Sequence, residues 1–200
     1  MKKALCIAAA LLLVLLQAQA CGEEAFRRAN SIGNFSEGYA AFSDKNGLWG
    51  YIDRTGSVVI EPQWDLADRF SGGVARIGIS RAGASGRLYG YIDTAGEIVF
   101  PAVCSAATNF YEGLATVNVD GEYGFITPDG EYAFDGRWSD AGYFSDGMAY
   151  VRVNSLYGFI DHTGAVVIAP AWDDVYSFSE NRAAVEKDGL WGLSTRLAAW

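Results

Sequence analysis

Internal repetition is the feature of this 200-residue sequence that most constrains its fold. One element is a Phe that opens a Phe-Ser-x-Gly-x-Ala motif or a close variant of it, found at five positions: Phe35, Phe70, Phe110, Phe144 and Phe178. We call this residue the anchor Phe. A second element is an aromatic residue followed by Gly, and it always precedes the next anchor Phe by 21 residues. Both elements keep a period of 34 residues, apart from one extra residue between Phe35 and Phe70 and an insert near residues 80–86, so the chain contains about four full units and a shortened fifth.

Each unit divides into three short predicted strands. In the first, apolar residues at 115, 117 and 119 alternate with polar residues at 116 and 118, which is typical of a strand with one buried face. Asn46-Gly47 is a strong hairpin signal, and Asp53 and Gly56 close a second turn. We expect the third strand to stop at Pro62, because proline cannot donate to a strand ladder.

These patterns predict an all-β fold in which tandem repeats of about 34 residues build an open, twisted, solenoid-like array. The alternative is a partly closed, propeller-like array. The predicted organisation is a signal sequence at residues 1–20, a lead-in at residues 21–34 and a single repeat domain at residues 35–200.

The run Leu-Trp-Gly-Tyr-Ile-Asp-Arg-Thr-Gly-Ser-Val-Val-Ile-Glu-Pro at residues 48–62, repeated between anchor motifs, resembles the WG (KWG) repeat of many bacterial proteins. The resemblance covers roughly residues 35–192. It implies an all-β repeat array, often exported and generally without an assigned biochemical activity. Thr127 replaces the usual Asp of the second turn, and the last unit breaks off after Leu193. Two interpretations of this ending stay open: Trp200 caps the array, or the reading frame is truncated.

The first twenty residues predict export by a cleaved signal sequence. Lys2 and Lys3 precede an apolar run of 13 residues, and Ala18-Gln19-Ala20 supplies a small–x–small cleavage site. The apolar run is shorter than the roughly 20 residues that span a bilayer. Cleavage would change the net charge from −9 to −11, which argues against nucleic acid and anionic lipid as partners.

Cleavage would also leave Cys21 as the first residue of the mature protein. A cysteine there resembles a lipidated bacterial lipoprotein, so membrane anchorage through Cys21 is an alternative to secretion. If Cys21 is free, an oxidising compartment would allow a disulfide with Cys104.

The sequence offers no convincing site for catalysis, a metal ion or a cofactor. Cys104 stands where three other units have Trp, so we expect a buried and inert thiol. The single His162 lies in a turn where sister units carry Arg or Thr, and we expect it to face solvent. Asp53, Asp93 and Asp161 recur at one turn position, and we interpret them as turn-stabilising residues that bind no calcium.

Repeated aromatic residues provide the candidate binding site. Trp64, Trp138 and Trp172 recur fifteen residues after the aromatic of the aromatic-Gly pair, two of them beyond a proline. We expect the repeated aromatics to pack between repeats; if one row of them is exposed, this set is the candidate binding surface. The most consistent function is a non-enzymatic, extracytoplasmic interaction module that presents a repeated β surface to a protein or peptide. The alternative is a carbohydrate- or cell-wall-binding protein that uses these three aromatics.

Overall fold

The computed structural model describes residues 29–81, 83 and 86–196. The predicted signal sequence, Cys21 and Trp200 lie outside the described residues. All regular elements in the described ranges are β-strands, and these ranges contain no helix with the length and apolar character needed to cross a membrane. The prediction of an all-β repeat array is therefore confirmed.

The strands form five antiparallel sheets that follow one another along the chain, and each strand pairs with its neighbour in sequence. The first sheet contains β1 (Ala29–Ile32), β2 (Tyr39–Asp44), β3 (Trp49–Asp53) and β4 (Val58–Trp64). The second contains β5 (Leu66–Ala67), β6 (Val74–Ser80), β7 (Arg87–Asp93) and β8 (Ile98–Cys104). The last residues of the predicted lead-in thus supply β1.

The remaining three sheets follow the same order. The third sheet contains β9 (Ala106–Ala107), β10 (Ala115–Val119) and β11 (Glu122–Ile126). The fourth contains β12 (Asp140–Ala141), β13 (Ala149–Val153), β14 (Leu156–Ile160) and β15 (Val166–Trp172). The fifth contains β16 (Asp174–Val175), β17 (Arg182–Lys187) and β18 (Leu190–Thr195). Each unit therefore has a short strand that the sequence pattern did not predict, placed just before the anchor Phe.

The turns between the third and fourth strands contain the Asp hydrogen bonds and the positive-φ Gly that the sequence predicts. Asp53 Oδ1 accepts the backbone N–H groups of Thr55 (2.8 Å) and Ser57 (3.0 Å), and Gly56 has a φ of 82°. A glycine is favoured there because L-residues rarely adopt positive φ. Asp93 and Asp161 bond their own turns in the same way.

The expectation that proline ends each unit's last strand is wrong. Pro62 lies inside β4, within a bulge: Tyr51 pairs with Ile60 and Trp49 with Trp64, so three residues of β4 pass one residue of β3. Pro101 and Pro170 lie in the equivalent bulges of β8 and β15. These strands are the outermost of their sheets, where a missing N–H costs no ladder bond.

This bulge explains the glycine of the Trp-Gly pair. A Cβ placed on Gly50 would lie 2.3 Å from the carbonyl oxygen of Ile60 and 2.7 Å from the nitrogen of Pro62. The equivalent distances from Gly90 and Gly158 to the carbonyl oxygen of the crossing strand are 2.7 and 2.5 Å. Only glycine allows the two backbones to approach so closely.

Successive sheets stack face to face, and an apolar core lies at each of the four junctions. At each junction the anchor Phe packs on an aromatic residue in the third strand of the preceding sheet. The ring-centroid distances are 4.6 Å for Phe70–Tyr51, 5.3 Å for Phe110–Tyr91, 5.0 Å for Phe144–Phe125 and 4.9 Å for Phe178–Phe159. The 34-residue period is therefore the spacing that brings each anchor Phe onto the sheet before it.

A carboxylate two residues after the anchor Phe links adjacent units. Glu37 accepts the backbone N–H groups of Gly72 (2.7 Å) and Gly73 (2.9 Å) in the next unit's turn. Asp146 and Glu112 make one such bond each, to Asn181 and Gly147. Charge-assisted bonds of this kind fix the position of one turn relative to the next.

The third sheet departs from the others, as its sequence indicated. After the turn at Thr127, isolated bridges Ile126–Tyr132 and Tyr123–Trp138 replace a continuous fourth strand. Tyr123 and Trp138 nevertheless exchange both backbone hydrogen bonds, at 2.8 and 3.1 Å. Among the described residues, the first and fifth sheets share no core cluster.

Candidate functional site

The three tryptophans named as candidate binding aromatics lie mostly in the interior. Trp64 is only 5% exposed and packs edge-on to Tyr51, at a ring-centroid distance of 6.4 Å. Trp138 and Trp172 are partly buried against the cores of the third and fourth junctions. The physical reason is the bulge: the strand continues beyond the proline and places the tryptophan on the face that the next sheet covers. These three rings therefore pack between repeats, and the carbohydrate alternative loses the surface it required.

Cys104 occupies the same interior position in the second sheet. It pairs with Tyr89, as Trp64 pairs with Trp49, and is completely buried. Burial raises the pKa of its thiol to about 12, so the thiol stays protonated at neutral pH. The prediction of a buried thiol is confirmed.

The carboxylates of the repeated aspartates accept hydrogen bonds from residues of their own turns. Asp53 and Asp161 have carboxyl pKa values below the usual range, chiefly because the Thr side chain two residues later donates a hydrogen bond to each. In the ranges that the structure describes, no group of His, Cys, Asp and Glu side chains is arranged to hold a metal ion.

His162 is half-exposed and makes two contacts. Its ring stacks on Phe144 at 4.2 Å, and its Nε2 lies 3.3 Å from Glu112 Oε2. The same carboxylate oxygen accepts the N–H of Gly147 at 2.9 Å, so this histidine supports the junction between the third and fourth units.

The structure brings together a set of residues that the sequence did not single out. A cleft of about 430 Å³ opens beside the anchor motifs of the first three units, and it is lined by Gly33, Asn34, Ala41, Trp49, Ala67, Asp68, Arg69 and Asn109. Asn34, Arg69 and Asn109 each immediately precede an anchor Phe. The position before the anchor Phe is the signal that could have identified this cleft, because its residue is Asn, Arg or Ser in four of the five units although the next residue is invariably Phe.

The two charged side chains that line the cleft, those of Asp68 and Arg69, differ in their contacts. Asp68 forms an ion pair with Arg76 at 2.7 Å, and Arg76 also donates to the carbonyl oxygen of Ala107. The backbone carbonyl of Asp68 accepts the hydroxyl of Tyr51 at 2.6 Å, and burial raises the pKa of that hydroxyl. Arg69 is exposed and has no hydrogen-bond or ion-pair partner among the described residues. Its guanidinium is therefore the free charge of the cleft.

The same position in the fourth unit carries an exposed aromatic residue. Tyr143 precedes Phe144, is about 41% exposed, and packs on exposed Tyr111 with ring centroids 4.6 Å apart. We call Asn34, Arg69, Asn109 and Tyr143 the turn row. Together they offer two amides, one uncommitted cation and an aromatic pair along the anchor turns.

Several solved structures are similar to this chain at low sequence identity. The WD40 β-propeller domain of Doa1 is 15% identical, with a TM-score of 0.36, and the match covers 83% of this chain and 68% of that one. KlHsv2 with loop 6CD replaced by a Gly-Ser linker is 14% identical, with a TM-score of 0.46, and the match covers 86% of this chain and 66% of that one. The extracellular domain of the putative hybrid two-component system BT4673 from B. thetaiotaomicron is 12% identical, with a TM-score of 0.42. That match covers 83% of this chain and 27% of the other.

The chain thus spans about two thirds of the first two structures and about a quarter of the third. No curated protein matches the sequence. A family model described as the WG containing repeat matches residues 30–49, 49–79, 89–123, 123–157 and 157–191, which is most of the chain. With its period, its bulged fourth strand over the Trp-Gly pair and these five matches, the chain belongs to the family of proteins built from the WG containing repeat.

Proposed function

We propose that this chain is a non-enzymatic interaction module that binds a protein or peptide partner along the turn row. The observation that carries this proposal is the cleft in which Asn34, Arg69 and Asn109 of three successive units converge beside the Trp49 side chain. Such a surface needs several units in fixed register, which is what the stacked array supplies.

The chemistry of the cleft suits a peptide. Asn34 and Asn109 can each donate to a peptide carbonyl and accept from a peptide N–H, while Trp49 offers an apolar contact. The guanidinium of Arg69 matches a carboxylate with two parallel hydrogen bonds. Exposed tyrosines such as the Tyr111–Tyr143 pair are enriched at protein interfaces.

The absence of enzymatic activity is part of the proposal. Cys104 is buried with a raised thiol pKa, and His162 contacts Phe144 and Glu112, so these two residues do not form a nucleophile–base pair. We also propose an extracytoplasmic location, which rests on the signal-like residues 1–20, with Cys21 either free or lipidated. Mass spectrometry of the mature N-terminus tests the location, and labelling with a radioactive fatty acid distinguishes the two states of Cys21.

Selection from a phage-displayed random peptide library tests the binding function. We expect peptides to be enriched whose affinity falls at least about tenfold, or about 1.4 kcal/mol, in the variant Arg69→Ala. Arg54→Ala is the matched control, because Arg54 is equally exposed but lies in a turn outside the cleft. Failure to enrich any peptide, or equal losses in the two variants, would contradict the proposal.

A further inference from the structure

The charged groups of the cleft leave one positive charge uncompensated within the described part of the chain. Oδ2 of Asp68 lies 2.8 Å from Nε and 2.7 Å from Nη2 of Arg76, so this carboxylate is already paired. Arg69, the other charged residue that lines the cleft, has no such partner among the described residues. The cleft therefore attracts a negatively charged group, although the whole chain carries a net charge of −9.

Two amide side chains flank this positive charge. Asn34, Arg69 and Asn109 occupy the same position, immediately before the anchor Phe, in three successive units that all contribute to the cleft. A guanidinium carries only donors, and each amide contributes two further N–H groups. A carboxylate carries only acceptors, about four lone pairs on two oxygens, and it bonds a guanidinium through two parallel hydrogen bonds. These three side chains therefore match a carboxylate.

The size of the cleft favours the end of a polypeptide over a segment that continues in both directions. Its volume of about 430 Å³ lies in the range of small-ligand sites, roughly 300–1,000 Å³. The half-buried Trp49 side chain and the methyl groups of Ala41 and Ala67 line the same space and provide an apolar surface beside the polar groups. A chain terminus brings a carboxylate and an adjacent side chain together within such a volume.

We propose that the cleft binds the C-terminal carboxylate of a partner polypeptide. The carboxylate bonds the Arg69 guanidinium, Asn34 and Asn109 bond its remaining lone pairs and the N–H of the last residue, and the last side chain contacts Trp49. This recognition rests on the proposed function and names the part of the partner that the cleft binds. The net negative charge of the chain favours a partner whose preceding residues are basic or uncharged.

Paired peptide libraries test this recognition. Random hexapeptides, attached to beads through their N-termini, are screened with the fluorescently labelled 200-residue chain, once with free C-terminal carboxylates and once with C-terminal amides. We expect binders from the carboxylate library, enriched in a large apolar last residue. Amidation of a selected peptide should lower its affinity at least about tenfold, because it removes the charge that pairs with Arg69.

Asn109→Asp is the most specific variant. It changes the size of the side chain little and places a negative charge beside Arg69, and Asn109 has no side-chain hydrogen-bond partner among the described residues that the substitution would break. We expect at least about tenfold weaker binding of the carboxylate peptides, because like charges repel, with an unchanged urea midpoint. Gln63→Glu is the matched control, because it adds the same charge at an exposed position outside the cleft.

The outcomes distinguish failure of this inference from failure of the proposed function. Peptides that bind equally as acids and amides, yet weaken in Arg69→Ala, would overturn the inference and support the proposed function. The same holds for peptides whose affinity depends on an internal Asp or Glu side chain. Two libraries without binders would contradict both. Tighter peptide binding by the double variant Glu23→Gln/Glu24→Gln would also overturn the inference, because the chain's own carboxylates would then occupy the cleft.

Discussion

Replacing the glycine of a Trp-Gly pair should destabilise the protein only where a fourth strand crosses it. In the variant Gly158→Ala, the new Cβ would lie 2.5 Å from the carbonyl oxygen of Ile168 and 2.7 Å from the nitrogen of Pro170. Ordinary contact distances begin at 3.4 Å, so β15 would have to move by about 0.9 Å. Neither Gly158 nor Gly192 has a positive φ, so alanine is conformationally allowed at both positions and only the contact differs.

The expected magnitude follows from this contact. Overpacking typically costs 1–3 kcal/mol, and the upper end applies because the opposing atoms belong to the backbone and cannot change rotamer. We therefore expect Gly158→Ala to lower the free energy of unfolding by about 3 kcal/mol. Gly192→Ala has no opposing atom and should raise it by about 0.5 kcal/mol, because alanine loses less conformational entropy than glycine on folding.

Urea denaturation followed by tryptophan fluorescence and by far-UV circular dichroism measures both effects. With an m-value of about 2 kcal/mol/M, the midpoint of Gly158→Ala should fall by about 1.5 M, and that of Gly192→Ala should rise slightly. Equal destabilisation by the two substitutions, or a change below about 0.5 kcal/mol for Gly158→Ala, would refute the explanation of the Trp-Gly pair.

Three further predictions concern the junctions and the buried polar groups. Glu37→Gln should lower the free energy of unfolding by about 1 kcal/mol, because it weakens two charge-assisted bonds to the turn of the next unit; an unchanged urea midpoint, matching that of the control Glu131→Gln, would contradict this. Ser194→Ala should raise the free energy of unfolding by about 1 kcal/mol, because Ser194 is completely buried and its hydroxyl has no hydrogen-bond partner among the residues that the structure describes, at a position where the other four units have Ile; a loss of stability in the same assay would show that the hydroxyl is paired. The contribution of the Cys104 thiol to stability should be constant below about pH 9 and decline as the pH rises towards 12, because burial raises the thiol pKa of Cys104 from 9.0 to about 12 and the unfolded chain releases that proton first. The decline, measured as the urea midpoint against pH, should be shallower in Cys104→Ala, and parallel curves would exclude a contribution from this thiol.

The sequence predicts most of the fold because its signals are local and repeated. Asp53 accepts hydrogen bonds from backbone N–H groups no more than four residues away, as the sequence pattern of the turn indicated. Alternation of apolar and polar residues likewise identified strands such as Ala115–Val119.

The misassigned elements depend on interactions between strands and between units. Pro62 resembles a strand end in the sequence, but the bulge over Gly50 allows the strand to continue to Trp64. Trp64 is buried because the continued strand places it on the face that the next sheet covers. The cleft could not be predicted, because Asn34, Arg69 and Asn109 are far apart in sequence and converge only when three units stack.

Chemical-shift mapping of a selected peptide on the ¹⁵N-labelled chain tests the central claim most directly. The claim is that the chain is an interaction module whose partner binds along the turn row. We expect the largest perturbations at the backbone amides of Asn34, Arg69 and Asn109 and at the indole N–H of Trp49, the residues that line the cleft. Perturbations centred away from the turn row, or none at saturating peptide, would contradict it.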